Sequence, residues 1–265
     1  MRRLCQSTDA EVLRVPGGRL GSEDDPDTMR FPLIASVIVT AVVSAAMVTP
    51  DGPATGRAVA APSGCAELGG TVSAHLCHVT ASAPTYTIDL TFPDDYPDQQ
   101  ALLNYLTQTR DGFMSIVGDS STRDRGYELQ VTAEQFRSGH APGGTRSVVL
   151  TLFEQIGGAH PSTWYKAFNY DLAAQRPITF DTMFAPDANA LDAIFPVVQR
   201  ELGGELAMGL TILPGAGRDP AHYQNFAITD DQVIFFFGQG ELLPSYAGPS
   251  EVKVARSAIP PLALS

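Results

Sequence analysis

Basic residues are scarce in this sequence, with 17 Lys and Arg against 29 Asp and Glu. From residue 61 onward the count is 11 against 22, a net charge of −11 with no basic patch to offset it. So acidic a surface repels phosphate backbones and anionic headgroups. That excludes nucleic acid as a partner and leaves membrane contact to the N-terminal segment alone. The marks of common catalytic machines are missing as well. No Walker loop, dinucleotide fingerprint or metalloprotease helix occurs, so no cofactor is expected. No G-x-S-x-G elbow presents a nucleophilic serine. There is no internal repeat and no low-complexity tract, and charged residues make up only 17% of the chain.

Cysteine is nearly absent, with three in 265 residues, and Cys5 stands apart near the N-terminus. Cys65 and Cys77 remain as an even pair with eleven residues between them, and a disulfide is expected if the chain is exported. With His75 and His78 the pair makes four ligand types, but the spacing is not that of a zinc ribbon or finger, so no metal is expected.

Export is indicated by the one long apolar run, "FPLIASVIVTAVVSAAMV" from Phe31 to Val48. It is long for a secretory core and short for a span, which needs roughly 20 residues. Met29-Arg30 stands directly before it, and "AVAA", Ala58 to Ala61, follows with the small-x-small pattern of a signal peptidase site. Residues 29–60 therefore read as a signal peptide cut after about Ala60, with an uncleaved N-terminal anchor as the alternative. Residues 1–28 read as a disordered leader or an over-extended gene start. Either way residues 61–265 lie outside the membrane, secreted or associated with the cell envelope, and a monomer is expected.

At 44% hydrophobic, the exported part can bury a real core. "TYTIDLTF", Thr85 to Phe92, alternates as a strand does. Asp98 stands at an N-cap before Leu102, Leu103, Leu106, Phe113, Ile116 and Val117, spaced by threes and fours up to Gly118. Strand patterns follow over 127–136, 146–156 and 162–172, joined by short Gly/Pro turns, which predicts an antiparallel meander. "LAAQRPITFDTMF" reads as a turn into a short strand. Leu191, Ile194, Phe195, Val198 and Leu202 define a second amphipathic helix, with Pro196 marking a restart near its first turn. "NFAIT", "VIFFF" and "EVKVA" close the chain as strands, and "VIFFF" demands a sheet covered on both faces. The expected fold class is α+β, a mostly antiparallel sheet packed by two amphipathic helices. Two parts are expected, a strand–helix–strand part over 61–144 that holds the disulfide and a C-terminal domain over 145–265.

Candidate chemistry centres on "GGAHPSTWYKAFNYD", residues 157 to 171. His160 and Ser162 would point the same way from one strand, about 6.5–7 Å apart. Asp171 falls on the opposite face of an unbroken strand, a poor position from which to orient the imidazole. His222 is the alternative base, Ser120 and Ser245 the alternative nucleophiles, and Asp181 the alternative carboxylate. The plain account of His160 is a turn residue before Pro161 and a strand.

Four long blocks, "FPDDYPDQQALLNYLTQTRDGF", "GGAHPSTWYKAFNYDLAAQRPITFDTMF", "HYQNFAITDDQVIFFFGQGELLPSYAGP" and "VARSAIP", together closely resemble the mycobacterial secreted immunogenic proteins, the MPT/MPB-type antigens. The resemblance covers about Cys65 to Ile259 and includes the cysteine pair. From about Thr145 to Ala255 the chain also resembles the extracellular domain of the lysozyme-sensing anti-sigma factor RsiV, implying a β-grasp-like sheet. Three functions follow from these resemblances. The first is an antigen that binds a host or envelope partner. The second is a short-chain carboxylesterase of the serine hydrolase type, acting on a small ester. The third is a lysozyme-binding sensor domain.

Overall fold

The computed structural model describes residues 64–119, 126–140, 142–157, 160–205 and 212–264. The leader, the signal peptide or anchor, and Ser120 lie outside the described residues. The chain opens with a single helical turn, α1 (Gly64–Glu67), whose Cys65 is bonded to Cys77 as expected. Strands β1 (Thr71–Ser73), β2 (Leu76–Ala83) and β3 (Tyr86–Pro93) form consecutive hairpins.

The first amphipathic helix is α2 (Gln99–Asp119). Asp98 caps it, its carboxylate accepting the Ala101 N–H at 3.3 Å. The helix is the crossover that returns the chain to β4 (Tyr127–Ser138), which runs parallel to β3. β5 (Thr145–Gln155) and β6 (Ser162–Asp171) complete the expected antiparallel meander, and β7 (Arg176–Pro177) closes the edge. The seven strands lie in sequence order, and the β4–β5 hairpin carries the sheet across residue 145.

Alternation in these strands separates two faces. Ile88, Leu90, Phe92, Leu129, Val131, Val148, Leu150 and Leu152 pack under Leu102, Leu106 and Phe113 of α2. On the other face Val149 and Ala167 meet Ala227, Ile234 and Phe236 of a second sheet. That sheet has the order β10-β9-β8, from β8 (Phe226–Ile228), β9 (Gln232–Phe237) and β10 (Ser250–Ala255).

The far side of β9, with Val233, Phe235 and Phe237, is covered by α3 (Phe180–Met183) and by Ile194, Val198 and Leu202 of α4 (Ala190–Glu205). β9 is thus buried on both faces, as its unbroken apolar run demands. The layers run helix, sheet, sheet, helix, and the class is α+β with a large, mostly antiparallel sheet. Pro196 corrects one expectation. It sits inside a continuous α4 rather than at a restart, removing only its own donor to the carbonyl four residues back.

Polar side chains lock the two sheets together. Asn169 donates to the Phe226 carbonyl at 2.8 Å, and the Ile228 N–H donates to the Ser147 hydroxyl at 3.2 Å. These bonds satisfy backbone groups of β8 that its neighbour β9 does not reach.

Candidate active site

The site grows from the start of β6. The Thr163 N–H donates to the Gln239 side-chain oxygen at 3.2 Å, and the Gln239 N–H donates to the Thr163 carbonyl at 2.8 Å. The loop that follows β9 is thereby stitched to β6 by one residue. The Gln239 amide nitrogen also donates to the Ser245 carbonyl at 3.0 Å. Between these elements lies a cavity of about 420 Å³, lined by His160, Pro161, Thr163, Gln239, Ser245 and Tyr246.

Glycine makes the loop tight enough to do this. Gly240 has a φ of +82°, and a Cβ placed there would fall 2.8 Å from the Ser245 Oγ. Glu241 closes the same turn by accepting the Gly238 N–H at 2.7 Å. Pro244 then leads into the 3₁₀ turn Ser245–Ala247, which presents Tyr246 to solvent at 67% exposure.

His222 approaches the loop from a second side. It lies in the 3₁₀ turn Pro220–Tyr223, capped by the Asp219 side chain. Its Nδ1 stands 3.4 Å from the Glu241 Oε1, with both side chains about three-quarters buried. A carboxylate at Nδ1 fixes an imidazole's orientation.

The expected site residues therefore separate. His160 and Ser245 line one cavity although they are distant in sequence. Ser162 is exposed and does not line it. Asp171 is not brought to His160. It sits nine residues along β6 from Ser162, about 30 Å at strand rise, and is 1% exposed. Its carboxylate instead caps the next turn, accepting from Ala173 at 3.0 Å and Ala174 at 2.9 Å. Asp181 lines a different cavity of about 340 Å³ with Phe180, Phe184, Asp192 and Arg218, and among the described residues neither serine nor histidine contributes to that cavity.

Among the described residues no histidine ring is hydrogen-bonded to a serine hydroxyl. His160 has a serine in its cavity and no carboxylate lining it, while His222 has a carboxylate. Gln239, Glu241 and Tyr246 were missed by sequence reasoning. Their only signal is the Gly-x-Gly-Glu turn directly after an apolar strand.

The esterase Rv3036c of Mycobacterium tuberculosis is 57% identical over 237 residues, 89% of this chain and all of that protein. The immunogenic protein MPT64 of the same organism and MPB64 of Mycobacterium bovis are each 48% identical, over 77% of this chain and 90% of theirs. The chain belongs to the mycobacterial MPT64-type immunogenic protein family. Within this MPT64-type chain, residues 181–257 match the model of a protein family of unknown function, DUF3298. That segment holds His222, Gln239, Glu241 and Ser245 but not His160. A solved DUF3298 protein from Pseudomonas aeruginosa is 16% identical with a TM-score of 0.45, the match covering 69% of this chain and 91% of that one.

Proposed function

We propose that this chain is a secreted hydrolase of small, uncharged, short-chain esters, working in the cavity between the start of β6 and the 238–246 loop. Export rests on the apolar run followed by "AVAA". The observation that carries the reading is the meeting of His160 and Ser245 in one cavity, in a chain 57% identical to an esterase. A volume of about 420 Å³ is within the range of small-molecule sites. The net charge of −11 disfavours anionic substrates.

In this mechanism the Ser245 Oγ attacks the ester carbonyl carbon as His160 takes its proton. The alkoxide departs with that proton, leaving an acyl-serine. Water, deprotonated by the same imidazole, then releases the acid and restores Ser245. His222 and Glu241 support the loop from behind.

The test is turnover of p-nitrophenyl acetate and butyrate by protein expressed from the full-length chain. Ser245→Ala and His160→Ala are expected to abolish it, and full activity in either variant overturns the assignment. Binding of a host or envelope partner without turnover is the second reading, favoured by the exposed Tyr246 at the cavity. Saturable binding to mycobacterial envelope fractions by wild type that hydrolyses no ester would establish it. A lysozyme-binding role is tested by co-migration with lysozyme on a sizing column.

A further inference from the structure

We infer that Gln239 is a positioning residue that sets the nucleophile, holding the Ser245 segment in register with the start of β6. The inference rests on the ester-hydrolase reading of this cavity. Gln239 makes three hydrogen bonds that join the start of β6 to the Ser245 turn. Its backbone and its side-chain oxygen pair with the carbonyl and the N–H of Thr163, at 2.8 and 3.2 Å. Its side-chain nitrogen reaches the Ser245 carbonyl at 3.0 Å.

Ser245 opens a three-residue 3₁₀ turn preceded by Pro244, which has no N–H to give, and the other hydrogen bond to its carbonyl, from the Gly248 N–H at 3.2 Å, stays within that turn. The hydroxyl is confined from the other side by Gly240, where a Cβ would meet the Ser245 Oγ at 2.8 Å. One amide thus fixes where the serine backbone lies relative to His160, and one glycine leaves room for its oxygen. Misplacing a reacting atom by about 1 Å can cost roughly 10²-fold in rate, so a single hydrogen bond at this position has a catalytic consequence beyond its stability.

The two side-chain bonds can be separated by one substitution. Gln239→Glu keeps an oxygen to accept the Thr163 N–H and replaces the donor to Ser245 with a second oxygen. In amide hydrogen exchange, residues 245–248 of Gln239→Glu, where the Ala247 and Gly248 N–H groups bond the Pro244 and Ser245 carbonyls, should exchange faster while 164–171 of β6 keep wild-type protection. With p-nitrophenyl butyrate, kcat should fall roughly ten- to a hundredfold with KM little changed. The deficit relative to wild type should shrink from about pH 8 to about pH 5, as protonation of the carboxyl near its ordinary value restores a donor. Gln239→Ala, which lacks both bonds, should show no such recovery.

Unchanged exchange at 245–248 overturns the inference. So does full activity of Gln239→Glu in an enzyme that Ser245→Ala inactivates. Should Ser245→Ala retain turnover, the hydrolase reading fails at this site, and the exchange measurement alone then decides whether Gln239 positions the loop.

Discussion

The indole N–H of Trp164 donates to the Tyr105 hydroxyl at 3.0 Å, tying the first residues of β6 to the N-terminal third of α2. The Lys166 ammonium lies over the Tyr105 and Phe168 rings at 5.7 and 5.5 Å, extending the same contact along the strand. Trp164 is the chain's only tryptophan, and a Cβ at Gly238, directly beside the cavity-lining Gln239, would fall 3.3 Å from the Trp164 Cβ. Tyr105→Phe keeps the ring beneath Lys166 and removes only the acceptor. It should cost about 1 kcal/mol in urea unfolding and shift tryptophan emission. Unchanged stability together with unchanged emission would mean that the bond is not made in solution.

The β1–β2 hairpin turns on Ala74 and His75, at φ 50° and 61°. Two-residue hairpins of this hand favour Asn-Gly, because non-glycine residues with positive φ cost roughly 1–2 kcal/mol each. The opposing effect is the His75–Asp94 ion pair, but that is 3.8 Å long with His75 86% exposed, so its loss matters little. Strain relief therefore wins. Ala74→Asn combined with His75→Gly should raise stability by about 1 kcal/mol, read as a higher urea midpoint at unchanged m-value.

Those same residues explain why β1 and β2 were not legible in the sequence. "TVSAHLCHVTASA" has no glycine-marked turn, and the alternation of Cys77, Val79, Ala81 and Ala83 with His78, Thr80 and Ser82 is carried mostly by small side chains of little apolar contrast, so the pairing is set by the disulfide and by β3. Helix α2 and strands β3 to β6 were legible because each buries one face, and the period survives in Leu102, Leu106 and Phe113 and in Ile88, Leu90 and Phe92. The parallel pairing of β3 with β4 was not, since periodicity carries no strand direction. At the site, the wrong-face position of Asp171 could be counted along one strand. The meeting of His160 with Ser245 could not, because it depends on Gln239 joining elements far apart in sequence.

The disulfide anchors α1 and β1, which are otherwise three residues of exposed strand and one helical turn. Closing a loop of 12-residue separation should contribute about 2–3 kcal/mol through the unfolded chain. Replacing both cysteines by serine also buries polar atoms where Cys65 and Cys77 are 3% and 0% exposed. The double variant should therefore lose at least that amount in denaturant unfolding. Proteolysis is expected to begin near residue 70, ahead of the α2-packed sheet. A variant as stable as wild type would show that β2–β3 pairing alone holds this end.

Two carboxylates should shape the acid limb of stability. Asp95 is held below its ordinary value of 3.8, first by its hydrogen bond from Arg146, whose guanidinium it meets at 3.0 Å. Asp230 is lowered from the same value chiefly by the Gly139 N–H at 2.7 Å and then by the Ser138 hydroxyl at 3.2 Å, bonds that hook the second sheet to the β4–β5 hairpin. In the folded chain both groups bind a proton less readily than when unfolded. Between each lowered value and 3.8, the unfolded state carries more protons and stability rises with pH. Their contribution is fully present above that window and is lost as pH falls through the folded-state values. Asp95→Asn and Asp230→Asn should each flatten the fall of the urea midpoint below about pH 4, and the double variant should flatten it further, because the two sites share no partner. An acid limb as steep in the double variant as in wild type would assign acid sensitivity to other carboxylates.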